Sequence, residues 1–430
     1  MSHSRSTCSH PTQLTTPQPC SRSTQLFPKT FYYAGPMSFS MRVSAYLTSR
    51  RASNPDATLG AAPSPAEPPH ILRQHFALSM RHVDITPLGS TPVRSAAPGN
   101  PTLGSTPLRS TAPGNPTLGS TPVRSTAPGN PTLRSTAPPT SFPVWSVAPM
   151  KFEGVTAEGP STTSESDHLD EVSPAKAADK AVLYVLPGGF VKPIQPRNWN
   201  FVSQLAEAGL RVDIPLYGLV PDYSAAHGLP LIRECYRQLV ADHGADNVTV
   251  IADSAGGGLF LSALAWPFGD SMAGSNVAES PLPAPKAIVL NAPWLDMDLS
   301  NPDIEEFLPS DPLLNPQVLR PQGVLWASGL VTAGICSDAA ATQHPAVSPL
   351  LMTSEKLCEA LSSPRPAHTY IYCGTRDISL PDCGKLASRI KEVGAVATLH
   401  EEEGAIHMYH LTNTPEGRAA RKRMIEIATT

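Results

Sequence analysis

The chain has 430 residues and a formal net charge of −4, enough length for one large domain and a long further segment. Residues 1–150 carry twelve Lys/Arg against three acids, a balance of +9, and the rest carries 20 basic against 33 acidic residues, −13. The basic half is diluted in Pro, Ser and Thr with no clustered Lys/Arg patch, which argues against a nucleic-acid partner, and no apolar run of 18 residues offers a transmembrane segment.

No acid precedes Asp56, whereas Arg5, Arg22, Lys29, Arg42, Arg50 and Arg51 lie among many serines. That composition is shared with organellar transit peptides, and Phe39–Arg51 suits a short basic amphipathic turn. The favoured alternative is a generic polar tail on a cytoplasmic protein, with a mitochondrial address second. No secretory h-region occurs. Residues 90–133 repeat a 15-residue unit, read as STPVRSAAPGNPTLG, STPLRSTAPGNPTLG and STPVRSTAPGNPTL. Three prolines per unit block helix and central strand, and the unit has no periodic apolar face. Residues 1–149 are therefore expected to be a disordered extension and the array a linker without chemistry. A docking role for its Arg-Ser-Thr-Ala-Pro segments is the lesser reading.

The seven cysteines, at 8, 20, 235, 336, 358, 373 and 383, form no C-x-x-C pair, which favours a reducing compartment. Cys235 and Cys373 sit in apolar patterns and read as buried structural thiols. One sequon, Asn247-Val248-Thr249, opens a predicted core strand and carries little weight as a glycan site.

From about Met150 the composition becomes globular, and residues 150–430 are expected to form one domain. Strands are predicted at Ala181–Leu186, Leu210–Pro215, Asn247–Ala252, Lys286–Pro293, His368–Gly374 and Ala397–Glu403. Helical spacing runs through Asn198–Gly209, Leu229–Gly244, Leu259–Trp266, CGKLASRIKEVG (383–394) and Pro415–Ala428. Alternating strands and helices, with near-continuous apolar strands, predict an α/β fold with a mainly parallel sheet covered on both faces.

In such sheets reactive groups lie at the carboxyl ends of strands. IADSAGGG (251–258) joins a strand to a helix and places Ser254 between small residues, as a sharp nucleophile turn requires. Ala252 replaces the first glycine of the strict G-x-S-x-G pattern. Asp377, in GTRDISLPD, follows the His368–Gly374 strand, and His407, in EGAIHMYH, follows the last strand. The order Ser, Asp, His is that of an α/β-hydrolase. A neutral imidazole takes the hydroxyl proton, and a carboxylate fixes its tautomer and stabilises its charged form. Gly188 and Gly189 of PGGF follow the first parallel strand and, with the N–H of Ala255, can donate to a developing oxyanion.

Each choice has a structural competitor. A lone Ser254 reads as a helix cap and Asp377 as a turn residue. His400 and His410 compete with His407, and Asp253 reads as structural. Phe190, Tyr217, Trp266, Trp294, Trp326 and Met408 are candidate pocket or core residues; Phe190, Trp294 and Met408 are the ones expected to bind substrate.

With these residues in view, roughly 175–428 resembles the α/β-hydrolase carboxylesterases similar to hormone-sensitive lipase. The family's H-G-G-G-[FWY] aligns with Leu186–Phe190, its G-D-S-A-G-G with Ala252–Gly257, its aspartate box with Asp377 and Leu380, and its E-G-x-x-H-x-[FY] with Glu403, Gly404, His407 and Tyr409. YGLVPD (217–222), APWLDM (292–297) and AVSPL (346–350) are weaker echoes. Fungal members acting on acetylated sterols or similar small esters are the most similar in pattern. Two departures stand out: Leu186 and Pro187 replace the family's histidine and first glycine, while the donor glycines are kept. The N-terminal cap is poorly represented, and Glu306–Val331 is expected to supply a partial lid. The resemblance implies a serine carboxylester hydrolase acting on small or medium apolar esters through an acyl-enzyme. No metal cluster or phosphate loop is visible, so no cofactor is expected. Lactone hydrolysis, or a non-catalytic binder with an altered oxyanion loop, are the alternatives.

Overall fold

A computed structural model describes residues 67–88, 141–150, 178–265 and 281–430. Eight strands form one sheet: β1 (Phe76–Asp84), β2 (Ser141–Pro149), β3 (Ala181–Val185), β4 (Arg211–Pro215), β5 (Val248–Asp253), β6 (Ala287–Asn291), β7 (His368–Gly374) and β8 (Val396–Glu402), in the order β1-β2-β4-β3-β5-β6-β7-β8. β1, β2 and β4 pair antiparallel, and all later neighbours pair parallel. Every residue of β3, β5 and β6 is buried. Continuous apolar strands of this kind require cover on both faces.

The helices are α1 (His70–His75), α2 (Pro196–Glu207), α3 (Ala225–His243), α4 (Ala255–Leu264), α5 (Pro316–Thr332), α6 (Ser354–Ser362), α7 (Leu380–Glu392) and α8 (Pro415–Thr429). α2 opens on proline and a capping box in which Gln195 and Asn198 satisfy each other's backbone. α6 had no sequence expectation; Thr353 caps it by accepting from the Lys356 N–H. α5 lies within the expected lid and docks on α3. A Cβ at Gly228 would fall 2.4 Å from the Trp326 ring, and one at Gly329 2.1 Å from Ser224 Oγ, so both sites admit only glycine. None of the described helices is long and apolar enough to cross a membrane.

The extension expected over 1–149 needs correction. Its residues 70–75, 76–84 and 141–149 are α1, β1 and β2, and β2 lies against β4 inside the sheet. Phe142, Val144, Trp145 and Val147 are buried there. The buried Asp213 of β4 accepts from Ser146 Oγ (2.7 Å) and pairs with Arg81 of β1 (2.8 Å). The N-terminal segment therefore completes the core. The repeat at 90–133, the basic segment Phe39–Arg51 and Trp266 lie outside the described residues.

Candidate active site

Ser254 stands at the turn between β5 and α4 with φ 51° and ψ −116°, a left-handed conformation unusual for a residue with a side chain. Its N–H donates to Asn291 O (2.9 Å), and its carbonyl accepts from the N–H groups of Trp294 (2.9 Å) and Gly257 (3.0 Å). The glycines that follow are forced by contact. A Cβ at Gly256 would meet Val185 O at 2.5 Å and one at Gly258 would meet Trp294 O at 2.1 Å. The start of α4 thus presses against the ends of β3 and β6, which lifts the hydroxyl over the sheet edge.

His407 Nε2 lies 3.0 Å from Ser254 Oγ, and His407 Nδ1 lies 2.8 Å from Asp377 Oδ2. The partners assign the tautomer: Nδ1–H donates to the carboxylate and Nε2 accepts from the hydroxyl. Asp377 is fully buried, three residues past β7, and its Oδ1 accepts from the Ser379 N–H (2.9 Å) and hydroxyl (2.7 Å). Burial alone would depress the imidazole pKa, but the adjacent Asp377 carboxylate outweighs it and raises His407 above its ordinary value. Burial would likewise raise Asp377, and the charge and hydrogen bond of His407 hold it below the ordinary value instead.

A second carboxyl, Asp311, had no sequence signal. It accepts from the Ile378 N–H (3.0 Å), next to Asp377, and from the N–H groups of Leu313 (2.8 Å) and Leu314 (3.0 Å). Arg376 Nε donates to Ser310 O (3.0 Å). These bonds tie the Asp377 loop to the segment entering α5. Burial, then the negative Asp377, push Asp311 upward.

Beneath the serine, Asp253 accepts from Tyr184 (2.5 Å) and Asn291 (2.6 Å), and His410 Nε2 lies 3.3 Å away. His410 is thereby held below the serine and away from it. His400 lies in β8 and packs on Tyr372, with centroids 4.4 Å apart. The three competing histidines occupy three different environments, and only His407 reaches Ser254 among the described residues.

The loop after β3 carries positive φ at Gly188 (127°), Gly189 (60°) and Phe190 (63°). Gly188 O accepts from Val191 (3.1 Å) and Lys192 (3.0 Å), which closes a turn and directs the neighbouring amides outward. Among the described residues no acceptor takes up the N–H of Gly188 or Gly189. Ala255 is the first residue of α4, so its N–H has no intrahelical acceptor. Where the similar carboxylesterases carry histidine, Leu186 offers its carbonyl to the Tyr217 hydroxyl (2.6 Å), and Phe190 O accepts from Val220 N–H (2.9 Å).

A narrow cleft, open to solvent, runs beside Ser254 and His407 and is lined by Trp294, Leu295, Leu299, Leu314, Leu319, Ser379 and Asp382. Of the three expected substrate-binding residues, only Trp294 lines it. Phe190 is stacked on Trp326, with centroids 4.0 Å apart, and 6.2 Å from Tyr217, so its ring fills the base of the α5 packing. Met408 is buried with φ 58° and serves the turn that follows His407. Leu299, Leu314, Leu319 and Asp382 were missed because only tertiary packing brings them to the cleft. No group of three metal-ligating side chains occurs among the described residues.

A triacylglycerol lipase of Mycobacterium tuberculosis (strain ATCC 25618 / H37Rv) is 28% identical over 160 residues, 36% of this chain and 34% of that protein. The chain thus spans about a third of the length of that curated relative. Among solved structures, EstE5 soaked by ethyl alcohol shares 18% identity at a TM-score of 0.52, covering 91% of this chain and 98% of that one. A hormone-sensitive lipase from a metagenome library shares 19% at 0.50, covering 67% and 80%. A double mutant of the esterase E40 shares 23% at 0.50, with the same coverage. These likenesses show the fold. The model of the family described as alpha/beta hydrolase fold matches residues 182–411, more than half of the sequence and the stretch that holds Ser254, Asp377 and His407, and the chain belongs to that family.

Proposed function

We propose that the protein is a serine carboxylic ester hydrolase acting on small to medium apolar esters, acetyl esters among them, through an acyl-enzyme. The observation that carries this reading is the unbroken relay from Ser254 Oγ to His407 to Asp377, with unclaimed amides of Gly188, Gly189 and Ala255 at the same sheet edge. Ser254 Oγ attacks the ester carbonyl carbon while its proton passes to His407 Nε2. The carbonyl oxygen becomes an oxyanion held by the three amides. His407 then returns the proton to the leaving alkoxide, which departs as the alcohol and leaves an acyl group on Ser254. A water, deprotonated by His407, attacks that acyl carbon, and the proton returns to Ser254 as the acid leaves. Asp377 stabilises the charged imidazole in each half.

The apolar walls of Trp294, Leu299, Leu314 and Leu319 suit an alkyl chain. The wide spacing of the seven cysteines fits a reducing compartment such as the cytoplasm. The test uses the full chain with p-nitrophenyl esters of graded acyl length and a fluorophosphonate probe. Turnover and labelling of the peptide containing Ser254, both lost in Ser254→Ala at unchanged melting temperature, are the expected results. A folded wild-type chain that neither turns over nor labels would end the proposal.

A further inference from the structure

The cleft is apolar with one exception that the proposed mechanism leaves unused. Asp382, the third residue of α7, lines the same cleft as Ser254 and His407 and is 2% exposed. Its Oδ1 accepts from Asn301 Nδ2 at 2.8 Å. Its Oδ2 accepts from no protein donor among the described residues and is not fully enclosed, so it opens on the cleft. The other polar groups nearby are satisfied. Ser254 and His407 bond to each other, and Ser379 donates to Asp377. Asp296 accepts from the N–H groups of Asp298 (3.0 Å) and Ser300 (2.8 Å) and from the Ser300 hydroxyl (2.6 Å). An acid near a helix start has an ordinary structural use, and the Asn301 bond fulfils it. The second oxygen, open to the mainly apolar cleft, is left over. A carboxylate oxygen that opens on a binding cleft and has no protein partner is free to accept from a ligand donor.

We propose that Asp382 is a specificity-determining residue, accepting a hydrogen bond from a hydroxyl or ammonium group that the ester carries away from its reacting carbonyl. The inference rests on the ester-hydrolase reading and narrows its substrate class from apolar esters to donor-bearing ones. Burial pushes the Asp382 carboxyl up to about 6; the Asn301 bond opposes this, Asp296 and Asp303 add to it, and Lys385 works against it. At neutral pH the group is therefore mainly ionised and purely an acceptor. A donor on the substrate would meet an ion whose desolvation folding has already imposed, and such pairing discriminates strongly against analogues that lack the donor.

The experiment compares plain with ω-hydroxy and ω-amino substituted esters over a ladder of chain lengths. The substituent is placed in the acyl chain of p-nitrophenyl esters and in the alcohol chain of acetates. With the full wild-type chain, one length on one side should show kcat/KM favouring the donor-bearing ester by roughly ten- to hundred-fold. Asp382→Leu should reverse that ratio in favour of the plain ester. Asp382→Asn, a smaller change should the leucine variant not fold, should weaken the ammonium preference more than the hydroxyl preference. Because His407 acts equally on both esters, the ratio isolates Asp382, and the ammonium preference should fade as pH drops through about 6. Turnover of plain esters with no preference at any length, or a preference that survives Asp382→Leu, overturns the inference and leaves the hydrolase reading intact. If no ester is turned over, the hydrolase reading fails. Calorimetric binding to Ser254→Ala then decides the inference separately: at least about ten-fold tighter binding of the donor-bearing ester, lost on adding Asp382→Leu, supports it, and equal affinities overturn it.

Discussion

Cutting the chain at residue 150 should destroy its fold, although the composition changes there from proline-rich to globular. β2 pairs with β4 from Val144↔Pro215 to Val147↔Val212, and without it β4 becomes an exposed edge. The cut removes eight large buried apolar side chains: Leu72, Phe76, Val83, Ile85, Phe142, Val144, Trp145 and Val147. At about 1.5–3 kcal/mol each, their burial contributes roughly 12–24 kcal/mol, an upper figure because an unfolded chain already hides some surface. Ordering two nine-residue strands costs a comparable amount, about 1–2 kcal/mol per residue, so the effect of the cut is set by what it leaves behind on β4. Asp213 would also lose Ser146 and Arg81 and keep Arg211. Set against a whole-domain stability of about 5–15 kcal/mol, a net loss of even a third is decisive. At about 2–4 °C per kcal/mol, a loss of about 2–5 kcal/mol lowers the melting temperature by roughly 4–20 °C. The assay is thermal melting by circular dichroism, with solubility, on the full chain, on residues 150–430 and on a chain lacking only 90–133. The fragment should aggregate or melt far below the full chain, and the repeat deletion should melt within a few degrees of it. A fragment 150–430 that melts cooperatively close to the full chain would refute the reasoning.

The acid limb of the pH–kcat/KM profile should lie above pH 6.5, because a protonated His407 cannot take the serine proton and Asp377 raises the pH at which that proton leaves. Asp377→Asn should move this limb downward and cut kcat by roughly 10⁴-fold, through loss of the tautomer; an unmoved limb would separate the limb from His407. Tyr217→Phe strips the buried Leu186 carbonyl of its donor and should cost about 1–3 kcal/mol in stability together with some kcat, whereas Pro187→Gly should be milder, as melting and initial rates will show. Gly188→Ala forces a Cβ at φ 127° to within 2.5 Å of Lys192 O and should lower kcat on the order of 100-fold, consistent with displaced oxyanion donors.

The parallel half of the sheet was legible because β3, β5 and β6 are buried on both faces and so read as unbroken apolar runs. The turn at Ser254 was legible because its contacts forbid any side chain at Gly256 and Gly258, which leaves a sequence mark. β1 and β2 were not. β1 is an edge strand whose FALSMRHVD is mostly exposed and has no clean alternation. β2 contains Pro143 and ends at Pro149, residues that argue against a strand, and it stands amid proline-rich repeats. The apolar FPVWSV was its one signal. Ser254, Asp377 and His407 were legible because each sits just past a strand end. The cleft walls were not, since Leu299, Leu314, Leu319 and Asp382 meet only through the path of the chain around α5. Phe190 and Met408 misled for the opposite reason. Their neighbours in sequence lie at the site, while positive φ angles turn their own backbone to structural ends.

Asp84 stands directly opposite Ser141 in the β1–β2 ladder. The repeat-bearing connection therefore leaves and re-enters the sheet at adjacent positions, about 5 Å apart. Anchors this close on one sheet set no distance between two bodies. For any flexible connection, closure entropy grows only with the logarithm of length, so 15 more residues would cost roughly 0.2 kcal/mol. The fold is thus nearly blind to copy number: units can be gained or lost in frame without shifting the register of a single core residue.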